Sequence, residues 1–450
     1  MNSIAKPHAK RKRGLVLSPG GLRRLNQAIQ VIEAEENAGK RFTSEELSIR
    51  TGISTSTLSR LWASKSGIDR RTINLLFNAF HLDLLSSDIQ PLTDEVEAIP
   101  PSTRVDSSRT VSQIPYPSGP IPVDSPRYIS RPGMDNLAFQ EILQPSCTIR
   151  IKAPSGFGKS SLMLRLLQSA NQQGYATAAI NLQQVDTETL ADPRSFLRWF
   201  STVLSRKLKL DSKLDQYWDD LLGSKISTTL YLREAILPQL HRPLVLVINE
   251  VERAFECFHT AKNLLPLLRS WHEESQHDDV WKGLRLVLSY STDAYLPLDI
   301  NQSPFNIGLP LSLPEFNQEQ IQKLAELYLV SWSDAACDRL FALIGGKPSL
   351  VGFALYHLHQ GMELDELLQS APTLEGIYRN HLQRLLAQIN TYSHLIDRLK
   401  LLVRDKSPTF LDPVLAYKLE GMGLIKSMSG GWQLSCELYR ITFQTYLFNL

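Results

Sequence analysis

Cysteine is scarce in this chain: Cys147, Cys257, Cys337 and Cys436 are the only four in 450 residues. They are scattered, with no C-x-x-C spacing and no neighbouring pair of histidines, which argues against a zinc site or a disulfide frame. A reducing cytoplasm is the expected compartment. Long apolar runs are missing too. No stretch reaches the roughly 18 residues that a bilayer-crossing helix needs, so no membrane partner is expected. Met1 to Arg13 is basic but has no apolar segment, so it does not read as a secretory signal. Net charge is small, with 48 Lys+Arg against 46 Asp+Glu. That near-balance hides an asymmetry: residues 1–85 carry 14 Lys+Arg and 7 Asp+Glu, so only this end has the electrostatics of a nucleic-acid binder.

What is present is 43% apolar residues, enough for substantial cores. A chain of this length predicts two to four domains. The most informative stretch is Ala153-Pro-Ser-Gly-Phe-Gly-Lys-Ser160, entered from the apolar run Cys147 to Ile151 and followed by a helical pattern from Ser161. Phosphate groups need several backbone N–H donors converging on one point, and glycines let the main chain wrap that closely. Ser155, Gly156, Phe157, Gly158, Lys159, Ser160 and Ser161 are therefore read as a nucleotide-binding loop. Lys159, expected to stand exposed in the empty loop, would neutralise phosphate oxygens. Ser160 would offer its hydroxyl to Mg²⁺. Ala153 stands where the pattern usually begins with Gly; that residue closes the turn without needing positive φ.

The surroundings fit. Pro243 to Ile248 is a continuous apolar run of the kind that a strand buried on both faces of a parallel sheet shows. It ends in Asn249-Glu250, beside the expected phosphates. Glu250 is the candidate to orient and deprotonate water; the plainer reading is an exposed acid opening the next helix. Asn249 is the candidate for the metal side, but it brings no negative charge, which weakens the case for efficient hydrolysis. A further buried strand, Leu284 to Ser289, leads to Ser291 and Thr292, candidate sensors of the terminal phosphate or simply a turn. ATP or ADP with Mg²⁺ is the cofactor expectation.

Elsewhere the pattern is modular. Thr43-Ser-Glu-Glu46 is a capping box, and a short helix, the Gly52 turn and a Ser-capped helix give a helix-turn-helix layout over residues 14–85. In it Ser54, Thr55, Ser56, Ser59 and Arg60 would face the major groove of double-stranded DNA, while Leu58, Leu61 and Trp62 pack inward. A small helical domain for protein contacts remains the alternative. Residues 86–126 turn rich in Pro and Ser, with nine prolines between Pro91 and Pro132, and read as a linker. Tyr128 and Arg131 come next, just before the first core helix; they either pack against the core or, as the resemblance described next implies, hold the adenine base. The α/β core is placed at 127–312 and a helical lid at 313–384, with Gly345-Gly-Lys-Pro348 ending one helix and starting another. Residues 385–450 have a winged-helix outline.

The phosphate loop, the apolar strand ending in acid, the Gly-Gly-x-Pro element and the terminal winged helix together resemble the STAND and archaeal-type AAA+ signalling ATPases. More narrowly, Leu284 to Thr292, Tyr295 to Asn306, Gly345 to Pro348, Ala371-Pro-Thr373, Gly376-Ile-Tyr378 and Cys436-Glu-Leu-Tyr-Arg440 resemble the bacterial AAA-like domain family. The N-terminal part resembles the helix-turn-helix module of proteins associated with vWA–MoxR conflict systems. The resemblance implies a P-loop NTPase core with lid and winged helix. It also implies Pro348 near the nucleotide and a nucleotide-driven switch that recruits an unidentified protein partner or assembles with itself. A DNA-binding regulator or mobile-element accessory ATPase is the alternative.

Overall fold

The computed structural model describes residues 114–291, 304–390, 393–405 and 407–448 without interruption, and the N-terminal part in pieces, chiefly 15–18, 42–54, 70–80 and 88–91. The chain divides into two compact units, Met1–Thr110 and Val111–Leu450.

In the first unit β1 (Leu15–Leu17) is followed by α1 (Ser44–Thr51), α2 (Arg70–Asn78) and β2 (Ile89–Pro91). Thr43 caps α1 through the reciprocal bonds to Glu46, and Gly52 ends it at φ 67°, a left-handed cap that glycine adopts without strain. Leu58, Leu61, Ile73, Leu76 and Phe77 are buried in one cluster. β1 and β2 pair antiparallel, Val16 opposite Gln90. The sequence pattern does not reveal this small sheet, which takes residues 89–91 out of the expected linker. Proline is tolerated at Pro91 because it ends a strand that has a neighbour on one side only.

In the second unit α3 (Pro132–Glu141) leads to β3 (Thr148–Lys152), α4 (Lys159–Gln172), β4 (Ala176–Asn181), α5 (Pro193–Leu208), β5 (Leu244–Asn249), α6 (Phe258–Glu274), β6 (Leu284–Tyr290) and β7 (Leu309–Ser312). The strands form one five-stranded sheet in the order β4-β5-β6-β3-β7, every pairing parallel. Helices cover both faces, which is why all seven residues of β6 are buried and β5 reads as an unbroken apolar run. The chain crosses from β3 to the far side of the sheet and returns, so the C-terminal end of β3 lies at a switch point, where α/β sheets leave a crevice.

Beyond the sheet the chain is helical: α7 (Gln318–Leu327), α8 (Asp334–Ile344), α9 (Pro348–His359), α10 (Arg379–Asn390), α11 (Ser393–Arg404) and α12 (Pro413–Gly421). Asn317 caps α7 with a capping box and Ser333 caps α8. A hairpin of β8 (Ile425–Met428) and β9 (Gly431–Leu434) and a last helix, α13 (Glu437–Phe448), complete the unit. α7 to α13 share one apolar core, which also buries Ile114. Among the described residues, no helix is long and apolar enough to cross a membrane.

Candidate functional site

The loop from β3 to α4 owes its shape to two glycines. Gly156 and Gly158 have φ of 83° and 95°, a region that L side chains avoid. Ala153 has no positive φ, so alanine fits there. The loop is also held from outside: Ser349, the second residue of α9, donates its N–H to Gly156 O at 3.1 Å. A Cβ on Gly156 would come within 2.9 Å of Ser349 Cβ. The lid therefore meets the loop through the backbone, and Pro348 starts the helix that does so.

Lys159 departs from expectation. It is 6% exposed, not a free loop cation. Its Nζ donates to Ala153 O at 2.7 Å, Pro154 O at 3.3 Å and Ser291 Oγ at 3.1 Å. Burial pushes its pKa down, while the carboxylates of Glu252 and then Glu250 favour the charged form. Ser155 is exposed and Ser160 partly so, both lining a cavity of about 500 Å³. Phe157 is buried beneath the loop. Ser161 is also buried, and its hydroxyl accepts the N–H of Ile121 at 2.9 Å, so it anchors a neighbouring segment.

That segment, residues 117–121, lines the same cavity. Arg165 holds its C-terminal end, donating to Ile121 O at 3.1 Å and Pro122 O at 2.8 Å, with its guanidinium 3.7 Å from the centre of the Tyr128 ring. Tyr128 donates its hydroxyl to Asp135 at 2.8 Å. Arg131, 5% exposed, donates to Phe157 O at 2.9 Å and Pro314 O at 3.3 Å and lies over the Phe316 ring. Both residues line the cavity, yet their polar ends are occupied by protein. Further along, Tyr328, Gly352 and Phe353 of the lid close it.

At the end of β5, Asn249 sits level with Asn181 and Ser289 on the neighbouring strands, and its Oδ1 is buried with no hydrogen-bond partner. This orphaned oxygen and the Ser160 hydroxyl are hard donors of the kind that Mg²⁺ takes, directly or through water. Glu250 turns the chain at φ 58° into a short helix, Val251–Glu256, so it caps that element and also borders the cavity. Burial first, and the Glu252 carboxylate second, raise its pKa. Glu252 accepts the N–H of Ser291 at 2.8 Å. Thr292, Thr55, Ser56, Ser59 and Arg60 lie outside the described residues. Ser54 is exposed, its hydroxyl 2.9 Å from Thr57 Oγ1.

Further polar residues beside the cavity have no role assigned from the sequence. Lys347, 3% exposed, pairs with Glu315 at 2.8 Å between the rings of Phe157 and Tyr439. His381 and Arg384 on α10 border both this cavity and an adjoining one of about 720 Å³. Nothing in the local pattern marks them, because isolated polar positions on a helix usually face water. His381 Nε2 and the Tyr439 hydroxyl share a hydrogen bond at 2.7 Å. Burial, then the charges of Arg384 and Lys347, lowers its pKa to about 4, whereas an unfolded histidine titrates near 6.5. Between those values the unfolded chain binds the extra proton. The contribution of this ring is therefore complete above about pH 6.5 and is lost as pH falls to about 4, by at most about 3 kcal/mol. In thermal melts from pH 7 to pH 4, His381→Gln is expected to lose less stability than the wild type; parallel losses would contradict the assignment.

A glycine turn between a parallel strand and a helix N-terminus, with a buried lysine beside the ends of the next two strands, defines the P-loop NTPase class. Residues 116–445 match the family model described as the AAA-like domain, and the chain belongs to that family. It is 25% identical over 201 residues to an uncharacterized WD repeat-containing protein of Synechocystis sp., an alignment covering 43% of this chain and 17% of that protein. The match thus spans about a sixth of the curated relative. Among solved structures, the Walker-type ATPase of Pyrococcus abyssi aligns with a TM-score of 0.48 at 13% identity over 70% of this chain and 96% of its own. The Aeropyrum pernix ORC2 protein gives 0.42 at 15% over 72% and 94%. A STAND protein with a tetratricopeptide repeat sensor from Pyrococcus horikoshii gives 0.30 at 14% over 72% and 43%.

Proposed function

We propose that the protein is an ATP-binding switch of the STAND/AAA+ kind, with nucleotide held between the parallel-sheet core and the helical lid. The observation that carries this reading is the cavity bordered at once by the Gly156–Ser161 loop, by the segment 117–121 and by α9, whose Ser349 bonds Gly156. In this reading the phosphates lie on the loop N–H groups and the first turn of α4, where the helix field favours anions. Lys159 leaves the carbonyls of Ala153 and Pro154 for the phosphate oxygens. Ser160 and Asn249 hold Mg²⁺, which when bound screens the phosphate charge. Glu250 positions water and takes its proton. Ser291, already bonded to Lys159, senses the terminal phosphate.

ATP and ADP would differ in the pull they exert on Lys159 and Ser291. Because Gly156 is tied to Ser349, that difference reaches the lid directly. The resulting change would expose a surface for a protein partner or for self-assembly, in bacterial conflict or defence signalling. Glu250→Gln is expected to lower ATP turnover roughly a hundredfold or more while the ATP dissociation constant stays within about threefold. Steady-state turnover together with calorimetric titration separates the two. Unchanged turnover would remove Glu250 from its role, and absence of ATP binding by the wild type would sink the whole reading.

A further inference from the structure

β5 ends in Asn249, which brings no negative charge to the metal side, and the fold places an acid near it. Glu250 takes a left-handed φ of 58°, which no β-strand or right-handed helix continues. The chain therefore turns sharply into the short helix Val251–Glu256. That turn brings Glu252 to the end of the adjacent strand β6, where one carboxylate oxygen accepts the N–H of Ser291 at 2.8 Å. Ser291 in turn holds Lys159 through its hydroxyl at 3.1 Å. The other oxygen, Oε2, is buried with no hydrogen-bond partner, as is Oδ1 of Asn249. A buried carboxylate oxygen left without a donor is costly unless a cation satisfies it.

We infer that Glu252 supplies the negative charge that Asn249 lacks on the metal side of the phosphate loop, its orphaned Oε2 turning toward a nucleotide-bound Mg²⁺ or a water of its shell. Two observations support this over a purely structural role. Glu252 is linked to the loop lysine through Ser291, which donates its N–H to the carboxylate and accepts from Lys159 Nζ with its hydroxyl. Its Oε1 is fixed by a backbone donor, so the carboxylate is oriented before any ligand arrives and needs little ordering on binding. Strand order explains why residue 252 can do this. β6 lies between β5 and β3, so an acid carried from the end of β5 onto the end of β6 comes one strand closer to the phosphate loop.

This inference rests on the nucleotide reading, and its test separates the two. Calorimetric titration of ATP into the wild type, once with Mg²⁺ and once with EDTA, should show binding in both and at least about tenfold tighter binding with Mg²⁺. In Glu252→Gln, which keeps the size and the acceptor for Ser291, affinity in EDTA should stay within about twofold and most of the Mg²⁺ gain should vanish. Adding Asn249→Asp to that variant should restore the gain, because the charge returns on the metal side at the end of β5. Rescue by charge is a result that a packing role does not produce. Mn²⁺ in place of Mg²⁺, followed by electron paramagnetic resonance, reports the same loss and rescue without any turnover. A full Mg²⁺ gain in Glu252→Gln, an equal loss in EDTA, or failure of Asn249→Asp to rescue overturns the inference and leaves the nucleotide reading standing. A wild type that binds ATP in neither condition overturns both.

Discussion

Replacing Lys159 by alanine is expected to weaken ATP binding by about a hundredfold or more, the loss of a charge-assisted contact worth about 3 kcal/mol. The structure makes this effect larger than for an exposed loop lysine. Lys159 is nearly enclosed, so its interaction with phosphate would be screened little by water. Its removal also deprives Glu250 and Glu252 of the cation that the structure puts beside them at the loop, leaving two carboxylates whose repulsion opposes an incoming anion. Folding should suffer far less. The ammonium's direct hydrogen bonds go to two loop carbonyls and one hydroxyl rather than to a carboxylate, so its loss breaks no directly bonded ion pair. Titration of ATP in EDTA, with a thermal melt alongside, checks both halves. Unchanged affinity in the variant would remove the phosphate assignment.

Gly346→Ala is expected to destabilise the second unit by about 3 kcal/mol. The cause is close approach, not φ. A Cβ on Gly346 would lie 2.8 Å from both the carbonyl carbon and the nitrogen of Phe316, and closer still to its oxygen. These are main-chain atoms that cannot rotate away. The same approach makes the hydrogen bond from Phe316 N–H to Gly346 O at 2.7 Å, which joins the start of the lid to the turn before α9. Forcing the two apart should also move Lys347, Pro348 and Ser349 away from the phosphate loop, so ATP affinity should fall together with the melting temperature. Gly133→Ala is the control. Gly133 sits in the first turn of α3 without positive φ, and a Cβ there meets nothing within 4 Å. It should be neutral or slightly stabilising. Equal melting temperatures for the two variants would refute the argument.

Much of this architecture is legible without coordinates, and the reasons are local. β5 and β6 announce themselves because strands buried on both faces hold few polar residues until they leave the sheet. The helix ends beyond the sheet are readable because Asn317, Ser333, Gly345 and Pro348 each satisfy or terminate a helix end by their own chemistry. β7 is not legible: Leu309-Pro-Leu-Ser312 is four residues long and holds a proline, which is tolerated because β7 is the edge strand beside β3. β1 and β2 stay hidden for a related reason, since three-residue strands some 70 residues apart leave no periodic signal.

The sequence alone determined the groups that depend on neighbours in the chain: the glycines that shape the phosphate loop, the lysine and serines beside them, the caps of the helices, and the absence of cysteine frames or long apolar runs. Those features are set by backbone conformation within a few residues, so the local pattern suffices. Tertiary structure alone decided that Lys159 is enclosed, that Ser349 ties the lid to Gly156, that Ser161 and Arg165 hold residues 121–123, and that Glu252 stands beside Ser291. Each of these joins residues far apart in sequence. Only the parallel sheet, by fixing which strand ends lie side by side, determines which polar groups lose their water and which partners they find.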